Sequence, residues 1–157
     1  MITLDEFKAN AIERGICSLI SKWDDCRSKK QLIDLALDIR SIPYLAKAIA
    51  EGWGISPSVI EEEFKPFLNG RYKRYADGYS SSVYCGYKDK TINIDTTVTL
   101  IIGFKGNIVP PVIGELYLCD CTDVRFNGDG AVVAYLYNSN IASSDKCEVR
   151  IKENKRY

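Results

Sequence analysis

The sequence predicts an α+β protein: an N-terminal bundle of short helices over 1–69, packed on a C-terminal all-β unit over 70–157 built of solenoid-like stacked strands. Three observations carry this prediction. Up to Gly70, apolar residues recur every three or four positions behind Ser, Thr and Pro start signals. Beyond Arg71 the spacing changes to alternation, and Ile92, Ile94, Thr96, Val98, Leu100, Ile102 and Phe104 read as a strand with one buried face. Finally, Leu100, Leu118 and Leu136 lie 18 residues apart, each followed by a turn-rich stretch: Gly106-Asn107-Ile108, Asp123-Val124 and Asn140-Ile141. A segment that cannot cover its own apolar face can stack on a near-copy of itself, so this period suggests coils. Steps of six from Leu100 also meet only small or apolar residues (Gly106, Val112, Leu118, Val124, Gly130, Leu136, Ala142), a hexapeptide-like pattern opposed by Pro110-Pro111. The alternative is an antiparallel meander or sandwich with evenly spaced hairpins.

The helices follow in order. Thr3 with Glu6 forms a capping-box pattern ahead of Leu4, Phe7 and Ala11, and Gly15 ends that helix. Leu19, Ile20, Trp23 and Cys26 share helical spacing. Ser28 with Gln31 is a second capping box, leading into Leu32, Leu35, Ala36 and Ile39. Ser41 caps a helix that tolerates Pro43 in its first turn and carries Leu45, Ala48 and Ile49. Ser56-Pro57 repeats the start signal, with Ile60 and Phe64 as its buried pair, and Pro66 and Asn69-Gly70 close the helical half.

Composition narrows the function. With 46% apolar and 27% charged residues, and a net charge of zero, the chain is ordinary for a globular domain and lacks the field of a dedicated nucleic-acid binder. Its apolar stretches are too short to span a bilayer, and the acids at the start read against an export signal, so a cytoplasmic setting is expected. The six cysteines include no CxxC pair and are expected as reduced core residues. Cys119 and Cys121, on one strand, would share a face, but no second pair stands at finger spacing; no metal site and no cofactor are predicted. The chain has no histidine, which removes Ser-His-Asp, Cys-His and His-ligated zinc chemistry, and no catalytic residues are assigned.

Two stretches remain as sites. Residues 45–64 have the spacing of a helix-turn-helix pair, Ala50, then Gly54-Ile55-Ser56, then Ile60. Glu61, Glu62 and Glu63 on the second helix would be repelled by phosphates, so the pair reads as structural. In segment 71–88, Arg71, Lys73 and Arg74 interleave with Tyr72, Tyr75, Tyr79, Tyr84 and Tyr87. Basic groups beside flat rings suit a protein hot spot, and also nucleic acid; a connector with its tyrosines over the joint is the structural reading. Asn127 to Gly130 fails the calcium-loop pattern at Arg125 and Leu136 and reads as a turn. Asp24-Asp25 and Glu61 to Glu63 read as solvated faces.

The stretches "LIDLALDIRSIPYLAKAIAEGWGISP", "FLNGRY", "GYSSSVYC" and "IDTTVTLII" together resemble small proteins of gut-bacterial prophages and mobile elements, a group without an assigned activity. The resemblance implies an accessory role and brings no site residues. The expectation is a non-enzymatic accessory protein that binds a host or phage protein, with modulation of host defence as a role that such binding would serve. The alternative is nucleic-acid binding or regulation through 45–64 and 71–88, and a dimer through an exposed β edge is a further possibility.

Overall fold

The computed structural model describes residues 4–13 and 22–153. Thr3, Gly15, Leu19 and Ile20 lie outside them. Helix α1 spans Leu4–Glu13, α2 Lys29–Ala36, α3 Ile42–Ala50 and α4 Pro57–Glu63, followed by a 3-10 turn at Lys65–Phe67. None of these helices is long and apolar enough to cross a membrane.

Capping sets the starts. The Ser28 hydroxyl accepts from the Gln31 N–H and the Ser56 hydroxyl from the Val59 N–H, each satisfying a donor that a first turn leaves orphaned. Ser41 is different. Its backbone is already helical and its side chain makes no cap bond, so Pro43, which needs no N–H partner, opens α3. Helix α2 ends at Ala36, before Ile39; its buried residue is Ile33, Leu37 is buried just beyond, and Ile39 is exposed.

Ten strands follow. β2 (Tyr79–Cys85), β4 (Val98–Ile102), β6 (Ile113–Cys119), β8 (Asp129–Tyr137) and β10 (Lys146–Glu153) alternate in sequence with β3 (Thr91–Asn93), β5 (Asn107–Val109), β7 (Val124–Phe126) and β9 (Ile141–Ser143). The odd and even sets pair separately. One sheet of six runs β1-β2-β4-β6-β8-β10, where β1 (Arg74–Ala76) is its antiparallel edge, and the other of four runs β3-β5-β7-β9. All other pairings are parallel. Each coil contributes one strand to each sheet, and β10 opens the coil after the fourth. The solenoid-like architecture holds, and the meander and sandwich do not.

The period is not a uniform 18. Ser81 pairs with Val98 and Val98 with Glu115, steps of 17, and only then does Leu118 pair with Leu136, a step of 18. Leu118 and Leu136 therefore stack, whereas Leu100 stacks between Val83 and Tyr117 on the opposite face. The series from Ile92 to Phe104 is likewise two strands in two sheets with a corner between them, not one strand. A step of six also fails, since Val112 is 84% exposed and Ala142 is exposed; two sheets cannot follow a three-sided period.

The result is three layers. Tyr84, Ile101, Leu118 and Leu136 form a continuous row between the two sheets, with Ile108 and Phe126 answering from the smaller sheet. On the other face Leu100, Tyr117 and Tyr135 meet Ile42, Ala46 and Ile49 of α3. Covered on both faces, β4 is buried along its whole length, which is why it reads Val-Thr-Leu-Ile-Ile without polar alternation. The hydroxyls of Ser82, Thr96 and Thr99, all buried, hydrogen-bond in a chain at 2.8 and 2.7 Å.

Each coil turns out of the large sheet at a residue in the left-handed region: Gly86, Gly103, Asp120 and Asn138, at φ 66, 67, 54 and 53. Side-chain amide Nδ2 of Asn138 donates to Asp120 Oδ1 at 2.8 Å, linking neighbouring corners. Asp120 has a further consequence. By reversing the chain between Cys119 and Cys121 it sends their thiols to opposite faces, Cys119 Sγ to the Ala46 carbonyl and Cys121 Sγ to that of Ile101. The two do not share a face as a straight strand would require.

Candidate interaction surface

The structure divides the Arg71 to Tyr87 segment. Arg71 is exposed, with its guanidinium donating to the Lys65 carbonyl at 3.0 Å. Tyr72 is half-buried against Phe67, edge to face at 5.6 Å, beneath Lys30, and its hydroxyl donates to Asp34. Burial first, and then that bond to a carboxylate, push the Tyr72 phenol up to about 12. Lys73 is paired with Asp95. Tyr84 is buried between the sheets, and Tyr87 stands edge to face on it at 5.5 Å and against Phe104. These two rings plug the first coil. Tyr75 alone is freely presented, at 75% exposure.

Tyr79 and Arg74 form a third group. Arg74 donates to the Tyr79 hydroxyl at 2.7 Å and lies over its ring, and the Ile39 N–H donates to the same hydroxyl at 3.3 Å. Beside them Arg40 holds the buried Asp38 through two 2.9 Å bonds from its guanidinium, while its own backbone N–H donates to the same carboxylate. The Arg40 side-chain bond is the chief cause that holds the Asp38 carboxyl below its ordinary value. Because the folded value is depressed, this contribution to stability is complete above the unfolded value near 4 and is lost as pH falls through the folded one. Asp38→Asn is expected to lower stability at neutral pH and to flatten its decline below about pH 4, read by denaturant unfolding at a series of pH values.

Tyr79 also reaches a surface that the composition did not suggest. The described helices pack on the six-stranded sheet around Leu100, Tyr117, Cys119 and Tyr135. The row Val98-Glu115-Val133-Arg150 and the neighbouring row Ile113-Ala131-Glu148 continue the helix-packed face past the helices. There they form an open groove of about 910 Å³, flanked by Gly78 and Tyr79 at one side and β10 at the other. Ile113 is 73% exposed, and Val112 stands exposed beside it. Tyr117, packed under α3, donates from its hydroxyl to Glu115 at 3.4 Å and so ties the groove to the core. Among the described residues β10 pairs on one side only, leaving eight residues of edge. Alternation on this strand, with exposed Lys146, Glu148, Arg150 and Lys152, charges the edge without blocking its backbone.

The other candidates resolve differently. In the 45–64 pair, Gly52 turns the chain at φ 78 and Gly54 lies where a side chain would strike Ala48. Ile42, Ala46 and Ile49 of α3, with Ile60 of α4, are spent on the core. Glu61 and Glu62 are exposed and Glu63 pairs with Lys29 at 2.7 Å. Asp24 pairs with Lys8. Burial, the leading cause in each case, raises the thiols of Cys85 to about 12 and of Cys121 to about 11, and that of Cys119 further, so these are inert core thiols. Asn127 to Gly130 is a corner into β8. No group of three or more metal-ligating side chains converges among the described residues.

Only pattern tied to register could have exposed the groove. Ile113, Glu115, Ala131 and Val133 look like any alternating strand until the helices are placed. Comparison of the chain with protein-family models, with curated proteins and with solved structures finds no match.

Proposed function

We propose that this chain is a non-enzymatic interaction protein, an accessory factor of the phage or mobile-element type, that binds another protein along the groove and the free edge of β10. What supports the reading is a sheet buried on both faces at β4 and bare at one end, where apolar Ile113 and Val133 lie near a row of backbone donors and acceptors on β10 that no strand among the described residues uses. An extended segment of the partner adds a strand to β10, the backbone supplying affinity and the groove choosing alternate side chains. Glu148 and Arg150, of opposite charge in adjacent rows, orient it. The nucleic-acid reading gains nothing from the geometry, since Lys73 and Arg74 are already engaged within the fold.

The test is photocrosslinking in a bacterial cell. A benzophenone side chain in place of Ile113 is expected to form a discrete protein adduct that weakens on Arg150→Glu, and none should form from exposed Asn93 on the smaller sheet. Equal labelling from both positions, or none from Ile113, ends the proposal. An adduct with nucleic acid transfers support to the alternative, and an adduct with a second copy identifies a dimer.

A further inference from the structure

We infer that the cavity between the helices and the six-stranded sheet binds a small, neutral, apolar molecule of about the size of a single aromatic ring. The cavity measures about 110 Å³ and lies among α1, α2, α3, α4 and the sheet residues Val83 and Ile102. It approaches the roughly 150 Å³ hole known to admit benzene when lined by Leu, Ile and Phe. Protein interiors hold few voids larger than a water, because atoms facing a void lose their dispersion partners outright. A hole of this size is therefore a standing cost that an occupant removes.

The lining sets the chemistry of that occupant. Among the described residues, the side chains of the wall are hydrocarbon and aromatic carbon apart from the hydroxyls of Ser41 and Tyr44 and the tryptophan N–H groups. Trp53 already donates from Nε1 to Glu51 at 2.9 Å, and no buried side-chain N or O among the described residues lacks a partner. Water needs two to four polar partners to reside in a cavity, and a polar or charged ligand needs them as well. The described lining supplies few such groups, so both are disfavoured relative to an apolar occupant. An apolar ring loses nothing and meets the rings of Phe7, Trp23 and Trp53, which already stand together at 5.7 and 6.2 Å.

Leu32 and Leu35 of α2 and Tyr44 of α3 line the cavity and are half-buried, so each reaches from its wall to the surface, and a ligand enters by displacing side chains without unfolding a helix. The site is separate from the groove, and neither inference depends on the other.

Trp23 and Trp53 are the two tryptophans of the chain and both line the cavity, so fluorescence reports directly on it. Bromobenzene titrated into the full chain is expected to quench tryptophan emission saturably. Benzene at about tenfold over its Kd should raise the unfolding temperature by about 3–6 °C. Ala36→Leu, which places three more carbons in the cavity, should raise that temperature without ligand and abolish both responses. If that variant does not fold, Leu45→Phe serves the same purpose. No saturable quenching and no thermal shift in the native chain would overturn the inference. So would responses that survive unchanged in a folded, filled variant, because the ligand would then sit elsewhere.

Discussion

Tyr117→Ala is expected to cost about 3–5 kcal/mol, the range for emptying a large aromatic site in a core. Tyr117 is 1% exposed and lies at the centre of the layer between α3 and the large sheet. Its ring stacks on Tyr135 at 4.6 Å and 12°, with Tyr137 at 6.4 Å beyond it. Removing it opens a hole that Leu100 on β4 and the helix backbone of α3 are poorly placed to fill, since both are held by their own hydrogen-bond ladders. Tyr117→Phe retains the stack and loses the hydroxyl with its 3.4 Å bond to Glu115, so its cost should stay well below that of the Ala variant, at about 1.5 kcal/mol. Urea unfolding of the three chains side by side measures the difference. A Phe variant as weak as the Ala variant would move the energy from the ring to the hydroxyl.

Gly54→Ala should cost about 1–3 kcal/mol, although glycine to alanine ordinarily stabilises by restricting the unfolded chain. Its φ is not in the left-handed region, so the penalty is steric. An added Cβ would stand 2.6 Å from Ala48 Cβ and 2.8 Å from the Ala48 carbonyl carbon, and a backbone atom cannot swing aside. The Trp53 and Gly54 N–H groups both donate to the Ala48 carbonyl, which clamps the turn where the methyl would intrude. Gly52→Ala, by contrast, meets open space but sits at φ 78, and should lose a smaller amount to backbone strain. Circular dichroism melts of both variants rank them. Equal or higher stability for Gly54→Ala would mean that α3 and the turn shift more readily than their packing implies. This contact also explains the helix-turn-helix spacing around Gly54 as a packing requirement.

The stacked strands were legible because alternation and near-repetition are local properties, and the helix starts were legible because Ser28 and Ser56 act on N–H groups three residues away. The phase of the repeat was not. Side chains alternate with period two, so a step of 17 in place of 18 moves Leu100 to the face opposite Leu118 while both remain apolar and buried. A better signal was present in the corners. Gly86, Gly103, Asp120 and Asn138 recur at 17, 17 and 18, and Gly, Asp and Asn are the residues that tolerate a left-handed turn. The Tyr/Arg segment shows the same limit: composition cannot tell Tyr84, which is buried between the sheets, from Tyr79, which borders the groove.

What the sequence by itself determined is the class of each half: helical spacing before Gly70, alternation after it, and no histidine with which to build the commonest reactive centres. Tertiary structure alone decided which surfaces are left over. The groove lies where Val98, Glu115 and Val133 continue the face past the residues packed on α3, and the cavity where Ala11 and Ala36 line one space with Phe7, Trp23 and Trp53. Both depend on distances between segments far apart in the chain, and those distances are set by packing that no local pattern encodes.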